Sequence, residues 1–122
     1  MTVVTIPQLE AAVNGLAGIG VAEMTDPATR ALIPPLYGGR IRYLREPVDK
    51  EEWQTPLITA QLGTGDCEDL AAYRIAELHV QGETEAKARV LRISPVLRHV
   101  VVARASGHIE DPSAKLGMSG KA

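Results

Sequence analysis

The strongest periodicity in the chain runs from Asp66 to His79. Leu70, Tyr73, Ala76, Glu77 and Val80 recur at spacings of three and four, and Ala71, Ile75 and Leu78 form a neighbouring stripe. Two adjacent stripes make a broad apolar surface, which predicts a well-buried helix, ended by Gly82. Upstream, Leu9, Ala12, Val13 and Leu16 predict a short amphipathic helix over Pro7 to Leu16, with Pro7 in its first turn. Downstream, Lys87 to Ile93 and Leu97 to Ala105 read as strands, separated by Ser94-Pro95. Ala105-Ser106-Gly107 is a compact turn, and His108 to Asp111 is a third short strand ended by Pro112.

Between the two helices, punctuation dominates. Asp26 to Arg30 reads as a cap or turn, and Pro34-Pro35-Leu36-Tyr37-Gly38-Gly39 as a breaker. Arg40 to Arg45 reads as a short strand. Asp49, with Glu52 three residues on, predicts a capped helix over Lys50 to Ile58, strained or broken at Pro56. Gly63-Thr64-Gly65 reads as a flexible loop, and Met118 to Ala122 as a frayed tail. The 122 residues are read as one domain: an N-terminal extension over 1–45, a core over 46–118 and a tail over 119–122.

Composition narrows the function classes. Hydrophobic content of 45% and charged content of 23% are ordinary for a globular domain, and the net charge of −2 argues against a general nucleic-acid binder. No apolar run approaches the length of a membrane span. No basic region followed by an apolar one opens the chain, so no secretion signal is read and a cytoplasmic setting is expected. The single cysteine rules out an internal disulfide and a multi-cysteine zinc site, and makes a reducing compartment the default.

That cysteine, Cys67, stands at the start of the central helix. Unpaired N–H groups and the positive end of the helix dipole favour a thiolate there; a buried structural thiol is the alternative. His99 lies in the second strand, in Val96-Leu97-Arg98-His99-Val100-Val101-Val102-Ala103. If Ala105-Ser106-Gly107 turns a hairpin, paired residues have an index sum of about 210 to 212, and His99 lies opposite Asp111 or within two residues of it. Such residues share a face, so the carboxylate can fix the imidazole tautomer and turn the other ring nitrogen outward. A thiol nucleophile uses such a base-and-orienter pair. His108 is three residues from Asp111 and so faces the other way. His79 is roughly 18 Å along the helix from Cys67. The carboxylates Asp66, Glu68 and Asp69 suit a first helical turn but oppose thiolate formation; the residues alone give Asp69 no further role.

Gly65-Asp66-Cys67-Glu68-Asp69 resembles the nucleophile motif G-D-C-x-D of the transglutaminase-like superfamily. His99-Val100-Val101-Val102 and Ile109-Glu110-Asp111-Pro112-Ser113 resemble its histidine and aspartate strands, in the same order. The resemblance covers roughly Trp53 to Met118, about half the chain, and extends to short members encoded by tailed bacteriophages. It implies a papain-like α+β core: a cysteine-bearing helix packed on a small antiparallel sheet. It also implies Cys67 as nucleophile, His99 as proton shuttle and Asp111 as orienter, acting on an amide through an acyl-thioester. Water would resolve the thioester in a peptidase, amidase or deamidase, and an amine in a transferase. No cofactor is implied. Gln61, six residues before Cys67, resembles the oxyanion-stabilising glutamine of papain-like enzymes; a solvated loop residue is the alternative. Trp53 is either a lining of the acyl pocket or a core anchor.

The implied partner is a protein or peptide substrate, in the bacterial host cytoplasm or in a virion, met at an open, shallow site. A non-enzymatic reading stands beside this: a phage virion or assembly protein, with a virion or host partner, that keeps the fold. A zinc site from Cys67, His99 and Asp111 is a third reading. A calcium site from Asp66, Glu68, Asp69 and Glu110 lacks the spacing of a known loop.

Overall fold

A computed structural model describes residues 5–45, 52–94 and 97–118. The chain opens with α1, Ile6–Thr25. Thr5 caps it: its side chain accepts from Gln8 N at 3.2 Å, and the Gln8 side chain accepts from Thr5 N at 2.9 Å. The helix runs well past the expected end at Leu16. Gly15 and Gly18 have no neighbours where a Cβ would sit, while Val13, Ala17 and Gly20 are buried, so tertiary packing outweighs the low helix propensity of glycine.

A 3-10 turn, Arg30–Leu32, leads through the proline–glycine segment to β1, Arg42–Tyr43. The helix expected over Lys50 to Ile58 is replaced by α2, Pro56–Leu62. Residues 46–51 lie outside the described residues, and 52–55 are not helical. Pro56 starts α2 behind the cap Thr55; it does not break a helix interior, because the first N–H of a helix needs no partner. Gly63 closes α2 in the left-handed conformation, φ 78°. Thr64–Gly65, expected as loop, forms β2, parallel to β1. The central helix is α3, Cys67–Val80.

Strands β3 (Lys87–Arg92), β4 (Arg98–Ala103) and β5 (Ile109–Glu110) form an antiparallel sheet in that order. A four-residue helix, α4 (Pro112–Lys115), follows, with Asp111 as its cap; Asp111 is therefore a helix cap just past the end of β5. Pro95, Val96 and residues 119–122, the latter expected as a frayed tail, lie outside the described residues. The architecture is a small α+β domain, the class the resemblance implied, with four described α-helices where the sequence pattern predicted three. No described helix is long and apolar enough to cross a membrane.

α3 is buried on two sides. One cluster joins Val13 and Ala17 of α1, Ala71, Ala72 and Ile75 of α3, and Ala88, Val90, Val100 and Val102 of the sheet. Alanines at the helix contacts let the backbones approach closely. The other cluster joins Leu70 and Tyr73 of α3 to Leu36 and Ile41. The outer edge of β3 is covered by α1: Asn14 Oδ1 accepts from Ala88 N at 2.8 Å and Glu10 Oε2 from Val90 N at 2.9 Å. Those bonds satisfy an edge that would otherwise template aggregation.

Gly20 sits where α1 meets α2. A Cβ there would overlap the Pro56 ring, with Cδ at 2.9 Å, and touch Ala76 Cβ at 3.0 Å. Gly20→Ala is expected to destabilise the fold by about 1–3 kcal/mol through overpacking. Gly18→Ala, in open space on the same helix, is expected to stabilise it by about 0.5–1 kcal/mol. Urea unfolding of the two variants beside wild type checks both signs.

Candidate active site

Cys67 is placed by the way α3 begins. Asp66 caps the helix: its Oδ1 accepts from Asp69 N at 3.3 Å, while Asp69 Oδ2 accepts from Asp66 N at 3.1 Å. This is a capping box with Asp in both roles. Asp69 is fully buried, and its other oxygen accepts from Gln54 N at 2.8 Å. Burial, and then the neighbouring Asp66, push the Asp69 carboxyl up. Gly65 fits because a Cβ there would stand 2.9 Å from Asp69 Cβ. The spacing Gly65, Asp66, Asp69 thus has a local steric and hydrogen-bonding cause.

β4 carries the candidate base, His99. Its register with β5 pairs Val102 with Glu110, an index sum of 212. Asp111 therefore falls level with Val101, two residues from His99 and on its face. His99 Nε2 lies 2.8 Å from Asp111 Oδ2, while Asp111 Oδ1 accepts from Ala114 N at 3.2 Å. One carboxylate both caps α4 and holds the imidazole, and Nδ1 becomes the nitrogen available for proton exchange.

The thiol comes to the same strand through a gap in the ladder. Arg104 N donates to His108 O at 2.8 Å, so N–H groups at alternate residues, Val102 and Val100, point to the β5 side. β5 stops at Glu110, and Pro112, level with Val100, has turned away into α4. Cys67 lies near that vacated edge, where the Val100 N–H favours its thiolate. The nucleophile candidate thus abuts the residue following His99. Among the described residues no hydrogen bond joins the thiol to the imidazole; Sγ is instead 3.6 Å from Glu68 Oε1.

The electrostatics depart from the thiolate expected at a helix N-terminus. Burial raises the Cys67 thiol well above its ordinary value, and Glu68 adds to that, outweighing Val100. The balance of these influences favours the protonated thiol.

The remaining sequence candidates are less engaged. Gln61 is exposed on α2, with no described hydrogen bond to the Cys67 segment. Trp53 is 39% exposed, which argues against the core-anchor reading; it adjoins Gln54, the residue tied to Asp69. The buried glutamine is Gln54, whose Nε2 is committed to Thr59 Oγ1 and Thr64 O, both at 3.0 Å. It braces α2 against β2. Among the described residues no group of three or more His, Cys, Asp or Glu side chains is placed to hold a metal ion, so neither the zinc nor the calcium set assembles. A concavity of about 240 Å³, lined by residues including Arg30, Ile33 and Glu77, lies toward the C-terminal end of α3. Helix rise puts that end roughly 20 Å from Cys67.

Sequence reasoning missed the roles of two neighbours. Tyr43 in β1 lies within electrostatic range of the Asp66 and Glu68 carboxylates and of Cys67; only the fold brings it there. Glu110, weighed in the sequence only as a calcium ligand, is 3% exposed and accepts from Arg74 Nε at 2.7 Å, Arg104 Nη1 at 2.8 Å and the Tyr37 hydroxyl. Burial raises its pKa, but these bonds outweigh burial and hold it below the usual range.

Alkylation of Cys67 by iodoacetamide should follow an apparent pKa above the ordinary thiol value of about 8.5. Glu68→Gln should lower that pKa. It should speed alkylation at pH 8 at least about fivefold, the equivalent of the roughly 1 kcal/mol between unit charges 4 Å apart in water. Mass spectrometry of the labelled peptide against pH reads both. No family model, curated protein or solved structure matches this chain, and its chemistry is read from the geometry of these residues.

Proposed function

We propose that the protein is a transglutaminase-like thiol amidohydrolase or acyltransferase with a papain-like arrangement, acting on peptide, isopeptide or glutamine side-chain amides. The observation that carries this is the 2.8 Å contact of His99 Nε2 with Asp111 Oδ2, on the strand whose next residue, Val100, has the N–H that favours the Cys67 thiolate. A nucleophile, a base and an orienter in this order are what acyl transfer through a thioester requires.

In this reading Sγ attacks the amide carbonyl carbon as the thiol proton passes to His99 Nδ1. The C–S bond forms and the carbonyl π electrons move to oxygen. The carbonyl re-forms as the C–N bond breaks, and the amine leaves with the proton from His99. Water or a second amine, deprotonated by His99, then attacks the thioester carbonyl; the C–S bond breaks and Sγ takes the proton back from His99. Asp111 keeps Nε2 protonated and steadies the imidazolium.

The surroundings support a macromolecular substrate. Trp53 and, on α2, Ile58 and Leu62 are exposed, and the Asp111 side chain is 32% exposed. An exposed loop or tail of a protein fits such an open site. The raised thiol pKa favours a second reading, in which a phage virion or assembly protein keeps this fold without turnover.

Cys67→Ala is expected to abolish turnover of a peptide-amide library and leave the thermal melt unchanged within a few degrees. Asp111→Asn retains an oxygen for Ala114 N but disturbs the histidine tautomer, and should lower kcat by up to roughly 10⁴-fold. Undiminished turnover in Cys67→Ala would reject the mechanism. An inert wild type whose Cys67 labels identically with and without His99 would favour the assembly reading.

A further inference from the structure

We infer that the hydroxyl of Tyr43 is a catalytic hydrogen-bond donor, holding the tetrahedral oxyanion together with the backbone N–H of Cys67. The inference rests on the acyl-transfer reading and supplies a donor that Gln61, exposed on α2, is not seen to provide.

The backbone places Tyr43 between the two halves of the site. In β1, Arg42 N donates to Gly63 O at 3.0 Å and Leu44 N to Gly65 O at 2.9 Å, pairing Tyr43 with Gly65, two residues before Cys67. Tyr43 N points the other way and donates to Leu116 O at 2.9 Å, at the end of the helix that Asp111 caps. β1 thus joins the nucleophile segment to the orienter segment, with Tyr43 at the junction. Its side chain is partly buried against the cluster of Leu36, Ile41, Leu70 and Tyr73, and Leu70 lies one turn from Cys67. Its phenol lies within electrostatic range of the Asp66 and Glu68 carboxylates and of Cys67.

The phenol is uncommitted. Among the described residues nothing accepts a hydrogen bond from it, in contrast to Tyr37, bonded to Glu110, and Tyr73, bonded to Pro34 O. Burial, and then the neighbouring Cys67, raise its pKa, so the hydroxyl keeps its proton. At the start of α3 the capping box uses the N–H of Asp69, and Leu70 N bonds to Asp66 O at 3.0 Å. The N–H of Cys67 has no intrahelical partner. One backbone donor and one neutral phenol are a sufficient oxyanion hole. A neutral donor also suits a site where Glu68 already opposes negative charge. The phenol donates a hydrogen bond throughout; the proton that moves is the thiol's, passing to His99 and on to the leaving group.

The test compares two reactions of the same thiol in wild type and Tyr43→Phe. Acylation by p-nitrophenyl acetate, followed as the p-nitrophenolate burst, builds an oxyanion. Alkylation by iodoacetamide builds none. Tyr43→Phe should slow acylation about 10²-fold, the scale for losing one such donor, and change alkylation less than about twofold. Equal acylation of both proteins would overturn the role of Tyr43 and leave the acyl-transfer reading standing. Loss of both reactions in the variant would also overturn it, as Tyr43 would then only position the thiol. A wild type alkylated but never acylated at Cys67 would overturn the acyl-transfer reading and this inference with it.

Discussion

A buried carboxylate organises the nucleophile end of this molecule. Asp69 is fully enclosed, and its two oxygens accept from the backbone N–H groups of Gln54 and Asp66. Burying a carboxylate is unfavourable unless its oxygens are satisfied, so the groups that satisfy it are held tightly. They fix the turn into α3, and with it the Cys67 position. They also fix the strand of chain that carries Trp53. Gly65 follows from the same constraint, because a side chain there would collide with Asp69. Replacing Asp69 would therefore disturb the cap, the turn and the Trp53 segment together.

The acid end rests on a different buried carboxylate. Neighbouring residues of a strand point to opposite faces, and β5 uses both. Glu110 turns inward to Arg74, Arg104 and Tyr37; Arg104 also binds Glu83 at 2.7 Å, and Glu77 binds Arg74 at 3.1 Å and accepts from Leu36 N at 2.7 Å. Asp111, the next residue, turns to His99. The ion cluster anchors a strand of only two residues, which has too few ladder bonds to hold Asp111 in register alone. The cluster is partly open: the Arg104 side chain is 27% exposed and that of Glu83 23%, so its value lies in geometry more than in net stability.

Much of this was legible in the sequence. The period of α3, the strands β3 and β4, and the turn at Ala105-Ser106-Gly107 were explicit, and the hairpin arithmetic alone brought His99 to Asp111. What was hidden depended on tertiary context. The apolar spacing read for α1 ended at Leu16, but the helix continues because Gly15 and Gly18 face open space and Gly20 admits the Pro56 ring. Pro56 read as a helix breaker, since nothing local says that Thr55 is a cap. The parallel pairing of β1 with β2 spans distant segments and leaves no periodic trace, so Tyr43 had no visible link to Cys67. The sequence left the thiol between a dipole-favoured thiolate and a buried neutral form; the helix dipole is a surface-scale effect of under about 1 kcal/mol, and desolvation beside Glu68 tips the balance to the protonated form.

That balance constrains how the site can work. A thiolate–imidazolium pair formed in advance would need the thiol pKa to fall below that of the imidazole, and burial and Glu68 push it the other way. If Cys67 is the nucleophile, its proton must leave as the C–S bond forms, with His99 acting as general base in the transition state. Charge then appears on the imidazole and on the carbonyl oxygen at the same moment. The Asp111 carboxylate, on Nε2, lies where it stabilises the first. The second needs donors that carry no negative charge of their own, near a helix start rich in carboxylates. A substrate that displaces Glu68 from the sulfur would remove part of the penalty on the thiolate, and so couple binding to nucleophile activation.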